Sequence, residues 1–512
     1  MHQGLHQLVE AEFLYQQGLP PQATYRFKHA LIQDAAYQSL LRSTRQQYHQ
    51  HIAQVLEMRF SETCETQPEL LAYHYTEAGV LVQAIPYWQR AGQRAIERSA
   101  HVEAISHLTK GLEVLQMLPD TPERAQQELG LQTALGSALM VTKGFAAPEV
   151  EHAYTRARVL CQQAGETPQL FSVLRGLWQF YNVRGEYQTA RELGEQCLHL
   201  AQHTQESALL LEAHHTLWPT LLFLGDLPRA HVHIERGMAL YDSQQHRSLA
   251  FLYGHDPGVC CRGIAALILW LLGYPEQALQ QSHEALTLVH ELAHPHSLAV
   301  ALDHAAWLHL LRREGQVVQE RAEAIMTLST DQGFAQWLAS GTIRRGWALA
   351  EEGQREEGIA QMRQGLATLQ GMNSQRARTH YLALLAEAYG RGREAETGLS
   401  VLAEALTTTR QNGEGYYEAE LYRLQGTLLL RQTVADVPQA EDCMQQALAV
   451  ARRQQAKSWE LRAAMSLSRL WQQQGKRAEA HALLAPIYGW FTEGFETADL
   501  QEAKVLLEGL KE

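Results

Sequence analysis

The residues of this chain best suited to chemistry are its histidines. The sharpest arrangement is His290-Glu291-Leu292-Ala293-His294, an H-E-x-x-H match. On a continuous helix that spacing puts two imidazoles on one face as zinc ligands, with the Glu as general base of a metallohydrolase. Pro295 follows the second His directly. Proline there marks a helix end, whereas a zinc-binding helix must run on past its second ligand. The pairs His214/His215, His231/His233, His294/His296 and His199/His203 also have spacings that could hold a metal. Packed or solvated histidines are the simpler reading for all of them, so no metal is expected. The six cysteines, Cys64, Cys161, Cys197, Cys260, Cys261 and Cys443, contain no C-x-x-C. A disulfide framework does not suit so long a chain, so each reads as a small buried hydrophobe in a reducing, cytoplasmic compartment. No catalytic residues and no cofactor are expected.

The elements that must position these residues are helices. Leu, Ala and Gln, all helix formers, dominate the 512 residues, and there are only 15 prolines. The net charge of −13 is spread thinly, with Arg scattered among Glu at helical spacing. There is no concentrated basic surface for nucleic acid. The longest apolar run, Gly263 to Tyr274, is too short to span a bilayer, so no membrane partner is expected. One pattern recurs: an apolar helix, a turn containing Gly, and a second helix with a small residue early in it. The small residue falls at Ala190 and Ala230, then at Ala278, Gly358 and Gly398, and finally at Ala440 and Ala480. Val318 fills the slot between Ala278 and Gly358, giving a period of about 40 residues. The interval from 230 to 278 is eight residues longer, and the segment 243–258 is the natural place for the excess. A small residue where two helices cross lets their backbones approach. Gly185, Gly225, Gly273 and Gly353 supply the permissive turn after the first helix. One hairpin cannot bury its apolar faces alone, so about nine of them are expected to stack between residues 121 and 495.

This pattern resembles the tetratricopeptide repeat family. In the hairpin at 174–198, Leu174, Leu177, Trp178 and Tyr181 stand at that family's Trp, Leu, Gly and Tyr slots, ahead of Ala190. Gly346 holds the Gly slot of its own hairpin, and Ala386 with Tyr389 fills two slots of the next. The period is longer than the family's, and Trp178 and Trp218 replace its Gly, which resembles the degenerate repeats of bacterial signalling ATPases. The first 120 residues point the same way. Phe27-x-His29, Asp34-Ala-Ala-Tyr37, Leu40-Leu41 and Arg45 ahead of His49 or His51 resemble the end of the ATPase region in bacterial adenylate/guanylate cyclase and signal-transduction ATPase (AAA/STAND-type) proteins. Residues 71–115 resemble the helical bridge into the repeats, and 471–510 the C-terminus of those proteins. Their phosphate-binding G-x-x-x-x-G-K-[ST] loop does not occur here, since the one Gly-Lys, Gly475-Lys476, sits in a repeat turn. The resemblance implies a C-terminal arm of such a protein, beginning inside its ATPase region.

The expected fold is therefore an all-α, right-handed superhelical solenoid of tetratricopeptide-like hairpins. The expected divisions are an ATPase-derived, winged-helix-like remnant over 1–60, a helical bridge over 61–120, the repeat array over 121–495 and a capping helix over 496–512. Trp270, Trp307 and Trp347 fall at first-helix positions that face the concave groove of such arrays. Arg175, Gln179, Asn182, His215, His380, Glu387, Arg391 and Arg423 share that face. Aromatic anchors with Arg clamps suit a protein segment or a small effector. The alternative for these residues is packing between hairpins for the Trp and solvation for the Arg. The expected function is a non-catalytic interaction or sensing arm that regulates an ATPase or cyclase in cis or in trans.

Overall fold

The structure, a computed structural model, describes residues 2–19, 23–98, 100–164, 169–204, 206–392 and 394–511. Among them are 28 helices and one two-stranded antiparallel sheet, Leu14–Gln17 with Thr24–Phe27. The chain divides into two compact units, Met1–Ala138 and Leu139–Glu512. None of the described helices is long and apolar enough to cross a membrane.

In the first unit the helices Arg42–Arg59, Pro68–Ala78, Leu81–Glu97 and His101–Gln116 close around Leu71, Tyr75, Ile85, Trp88, Leu108 and Leu115. Glu57 accepts hydrogen bonds from the hydroxyls of Tyr75 and Tyr87, each at 2.5 Å. Of the two histidines open at the sequence level, His49 is the buried one. It bonds Tyr37 at 2.9 Å and His74 at 2.8 Å, and Arg45 lies over the Tyr37 ring.

The second unit is a stack of helical hairpins from Leu170 to Tyr488, closed by the helix Ala498–Lys511. Local chemistry sets each start and stop. Asp226, Asp256 and Asp436 cap second or first helices by accepting a backbone N–H three residues on. Pro257, Pro275 and Pro295 occupy first turns, where a missing N–H costs nothing. Gly185, Gly225, Gly273 and Gly353 end or follow first helices with φ of 78°, 77°, 98° and 93°, the left-handed conformation that stops a helix.

The small residues do mark the helix crossings. A Cβ on Gly358 would lie 2.3 Å from the carbonyl oxygen of Gly346 on the partner helix. Gly358→Val is therefore expected to splay that hairpin and cost about 3 kcal/mol, the upper range for overpacking a tight contact. Gly371→Ala meets open space and should be neutral or slightly stabilising. Denaturation midpoints of the two variants check the contrast.

The segment that holds the eight extra residues after Ala230 folds into two short helices, Ser243–His246 and Leu249–Tyr253. The solenoid of this unit then turns back on itself. Hairpins roughly 150 to 190 residues apart meet along seams: the N–H of Gln375 donates to Val183 O, and that of Gly415 to Phe223 O. The Ser458 hydroxyl donates to Trp270 O, and Arg462 to Leu311 O at 2.6 Å. As a result the central first helices are enclosed. Every residue from Leu211 to Phe223 and from Ala299 to Leu311 is buried.

Candidate functional site

The first helices carry the eleven groove candidates, and the seams decide what becomes of them. Arg175, Gln179, Asn182, His215, Trp270, Trp307, Trp347 and His380 are all buried. Glu387 and Arg423 are partly covered, and Arg391 is exposed. The expected open concave groove differs from what is found, because successive turns of the solenoid cover the inner face. The candidates lie on first helices, most of them buried.

The inner face holds three polar clusters. In the first, Arg175 on the helix Leu170–Arg184 donates from Nε to Glu212 at 3.1 Å and from a terminal nitrogen to Gln179 at 3.2 Å. The same carboxylate faces His215 Nδ1 at 3.2 Å. Asn182 and Trp178 both donate to the Thr220 hydroxyl. Tyr253, from the inserted segment, lies under the Arg175 guanidinium. His215 in turn meets His255 and Cys260. Burial works against a charge on His215, but Cys260 and Glu212 outweigh it and push the imidazole up to about 9. Burial holds His255 well below the usual range, so it is neutral.

In the second cluster Arg344 forms a two-point pair with Asp303, at 2.7 and 3.1 Å. It also donates to Ser340 and Tyr381, and its guanidinium lies 5.7 Å from the Trp307 ring. His380 stacks on Trp307 and on Tyr417. Among the described residues, neither ring nitrogen of His304 or His380 has a partner, nor has the indole N–H of Trp307 or Trp347, the Tyr416 hydroxyl or the Ser374 hydroxyl. Burial keeps both histidines well below the usual range and uncharged. A hollow of about 20 Å³ lies among Asp303, Trp307, Trp337, Ser340, Arg376 and Tyr381. That is room for one water-sized group.

In the third cluster Arg391 bridges Glu387 and Glu351, and Arg423 makes a two-point pair with Glu420 at 2.7 Å for each bond. Trp270 packs edge-on against Trp459 across a seam, with Arg462 over both rings. Outside these clusters, a cleft of about 980 Å³ opens where Arg184–Thr189 faces Gln375, Arg378 and Thr407–Gly413.

The H-E-x-x-H geometry is not formed. The helix Pro275–Leu292 stops, Ala293 turns left-handed at φ 52°, and His294 caps the next helix by accepting the Ser297 N–H. His290 is exposed on the first helix, so the two imidazoles belong to different elements. The other pairs regroup across helices: His214 meets His233 at 2.8 Å, and only His199 and His203 pair along one helix. Gly475-Lys476 lies in a turn between helices. The sequence reading passed over Asp303, His304, Arg344, Tyr381, His255 and Glu414. A usable signal existed for some of them: acid and base one period apart in otherwise apolar first helices, as with Asp303 and Arg344, 41 residues apart.

No family model matches the chain. An uncharacterized protein of Rhizobium meliloti (strain 1021) is 25% identical over 427 residues, which make up 83% of this chain and 41% of that protein. The chain thus spans about two fifths of the length of that curated relative. Among solved structures, a Rap protein complexed with competence and sporulation factor is similar at 12% identity and a TM-score of 0.49, over 78% of this chain and 99% of that one. Cut9 in the APC/C Cut9-Hcn1 hetero-tetramer matches at 11% identity and 0.44, over 94% and 99%. Yeast Tom70 matches at 12% and 0.34, over 91% and 96%. The likeness is one of fold: an all-α array of tetratricopeptide-like helical hairpins.

Proposed function

We propose that this chain is a non-catalytic interaction and sensing arm, whose inner face takes a small polar effector or a protein segment and biases an attached or partner signalling ATPase or cyclase. The observation that carries the reading is the second polar cluster. A face built only for packing would be apolar, because a buried polar atom without a partner costs about 1–3 kcal/mol. Here two such groups, the Trp307 indole N–H and the Ser374 hydroxyl, line one hollow together with Asp303 of the buried Arg–Asp pair, and His380 stacks on Trp307. The hollow has room for one water-sized group, so a small effector or a peptide must part the seams to enter. Ligand that binds only the parted state would shift the population toward it, which is how occupancy could reach an attached domain. In this reading 1–60 is the end of an ATPase region, 61–120 the bridge, 121–495 the sensing array and 496–512 its cap. The greater length of the Rhizobium relative supports the presence of further domains in such proteins.

A thermal-shift screen of the purified chain with nucleotides, sugars and short peptides tests this. At least one class should raise the melting temperature, and His380→Phe should abolish that shift. This variant keeps the ring stacked on Trp307 and Tyr417 and removes two unpartnered nitrogens, so it should melt no lower than the parent. A shift that persists in His380→Phe would place the ligand elsewhere. Cyclic-nucleotide formation by the purified chain would replace the reading with a catalytic one.

A further inference from the structure

The one break in the 40-residue period brings a third ligand-type side chain to the inner face. The inserted segment delivers His255 immediately before Asp256, which caps the helix Pro257–Leu272. Cys260 is the fourth residue of that helix. At a helix start, the residue before the cap and the fourth helical residue face each other, the geometry otherwise used for a hydrophobic staple. Here those two positions hold an imidazole and a thiol. From the middle of the neighbouring helix Ser207–Leu224, His215 aims Nε2 at the same point, 3.1 Å from His255 Nε2. The two imidazole nitrogens and the Cys260 Sγ all lie within 4.8 Å of one another. His215, His255 and Cys260 are 1%, 9% and 5% exposed.

The surroundings match what a bound metal ion asks of its ligands. Glu212 faces Nδ1 of His215, the carboxylate–histidine arrangement found behind metal ligands, so that Nε2 is the nitrogen turned toward His255 and Cys260. Arg175 in turn holds Glu212. Trp218 stacks on His215 at 4.9 Å and Trp178 closes the other side, forming a dry wall. Asp256 is pinned by Ser297 and Tyr241, so the segment carrying His255 and Cys260 is held in place. In a tetrahedral zinc site, ligand nitrogens stand ~3.4 Å apart, and the two imidazole nitrogens here are 3.1 Å apart.

We propose that His215, His255 and Cys260 form a binding site for one zinc ion, with a fourth position left for water or another donor. Two imidazoles and a thiolate favour a borderline-soft cation over magnesium or calcium. Binding releases the Cys260 thiol proton and the Nε2 proton of His215 to solvent and forms one Zn–S and two Zn–N bonds, with no change of oxidation state. The site stands apart from the Trp307–Arg344 cluster, so it does not depend on the sensing reading.

The test uses the full chain, stripped with chelator, reloaded with zinc or cobalt(II) and desalted. The expected result is one zinc per chain by elemental analysis and, with cobalt, a near-ultraviolet sulfur-to-metal charge-transfer band. His255→Ala and Cys260→Ala should each weaken zinc binding at least 100-fold, while Cys443→Ala and the surface pair His199→Ala/His203→Ala retain it. The absence of stoichiometric zinc, or of the cobalt–thiolate band in the unmutated chain, overturns the proposal even if a ligand variant fails to fold. Equal zinc binding by the double variant His255→Ala/Cys260→Ala overturns it too.

Discussion

Arg344→Met is expected to destabilise the second unit by about 3–5 kcal/mol, the usual penalty for breaking a buried pair from one side. Arg344 is fully enclosed, with its guanidinium held by Asp303 at two points and by Ser340 and Tyr381. Removing it leaves the Asp303 carboxylate buried without its counter-charge, which is where the cost arises. The lost face over the Trp307 and Tyr381 rings adds to it. The double variant Asp303→Asn/Arg344→Met removes both charges and should recover most of the loss. Arg344→Lys should fall between, because a single ammonium cannot span both carboxylate oxygens and the hydroxyls together. Urea denaturation of the parent, Asp303→Asn, Arg344→Met and the double variant forms a double-mutant cycle. Additive losses would show that Asp303 and Arg344 act independently and would remove the second cluster as a coupled unit.

The contrast between register and exposure shows what such a sequence carries. Period, turns and crossings are local properties, so Ala190, Gly225 and Gly358 reveal them directly. The insertion is legible too, as an interval eight residues too long. That the inner face is closed is not local. It follows from the rotation summed over about five hairpins, which no single position encodes. The seams also use groups that every residue owns. The acceptors at Val183, Phe223, Trp270 and Leu311 are all backbone carbonyls, so side-chain types are silent about them. The same limit applies to Cys260, which reads as an ordinary small hydrophobe until the insertion sets His255 against it. Charged pairs one period apart were the missed clue, since an Arg inside an apolar first helix is costly unless an acid on the next hairpin meets it.

One seam should be sensitive to pH, and Glu414→Gln is expected to remove most of that sensitivity. Glu414 is fully buried beside Gly413 and Gly415, where the later hairpin meets Phe223 and Leu224. Its carboxyl accepts one hydrogen bond from Thr379 at 2.7 Å, while the second oxygen has no partner within the protein. Burial pushes this carboxyl up to about 8, against an ordinary value of 4.5. The folded state therefore holds the proton where the unfolded chain has released it. Stability contributed by the neutral form is fully present below about pH 4.5 and is lost as pH rises toward 8. The loss is on the order of 5 kcal/mol, from 1.36 kcal/mol per unit of displacement. Glutamine has the same shape and no charge to suppress. The variant should match the parent near pH 4.5 and exceed it progressively up to pH 8, seen as diverging denaturation midpoints across a pH series. Parallel midpoints for the two proteins would mean that the carboxylate charges freely, which requires water to reach the seam. The same series bears on ligand entry, because a seam that weakens on charging Glu414 should expose the inner face more readily at pH 8 than at pH 5.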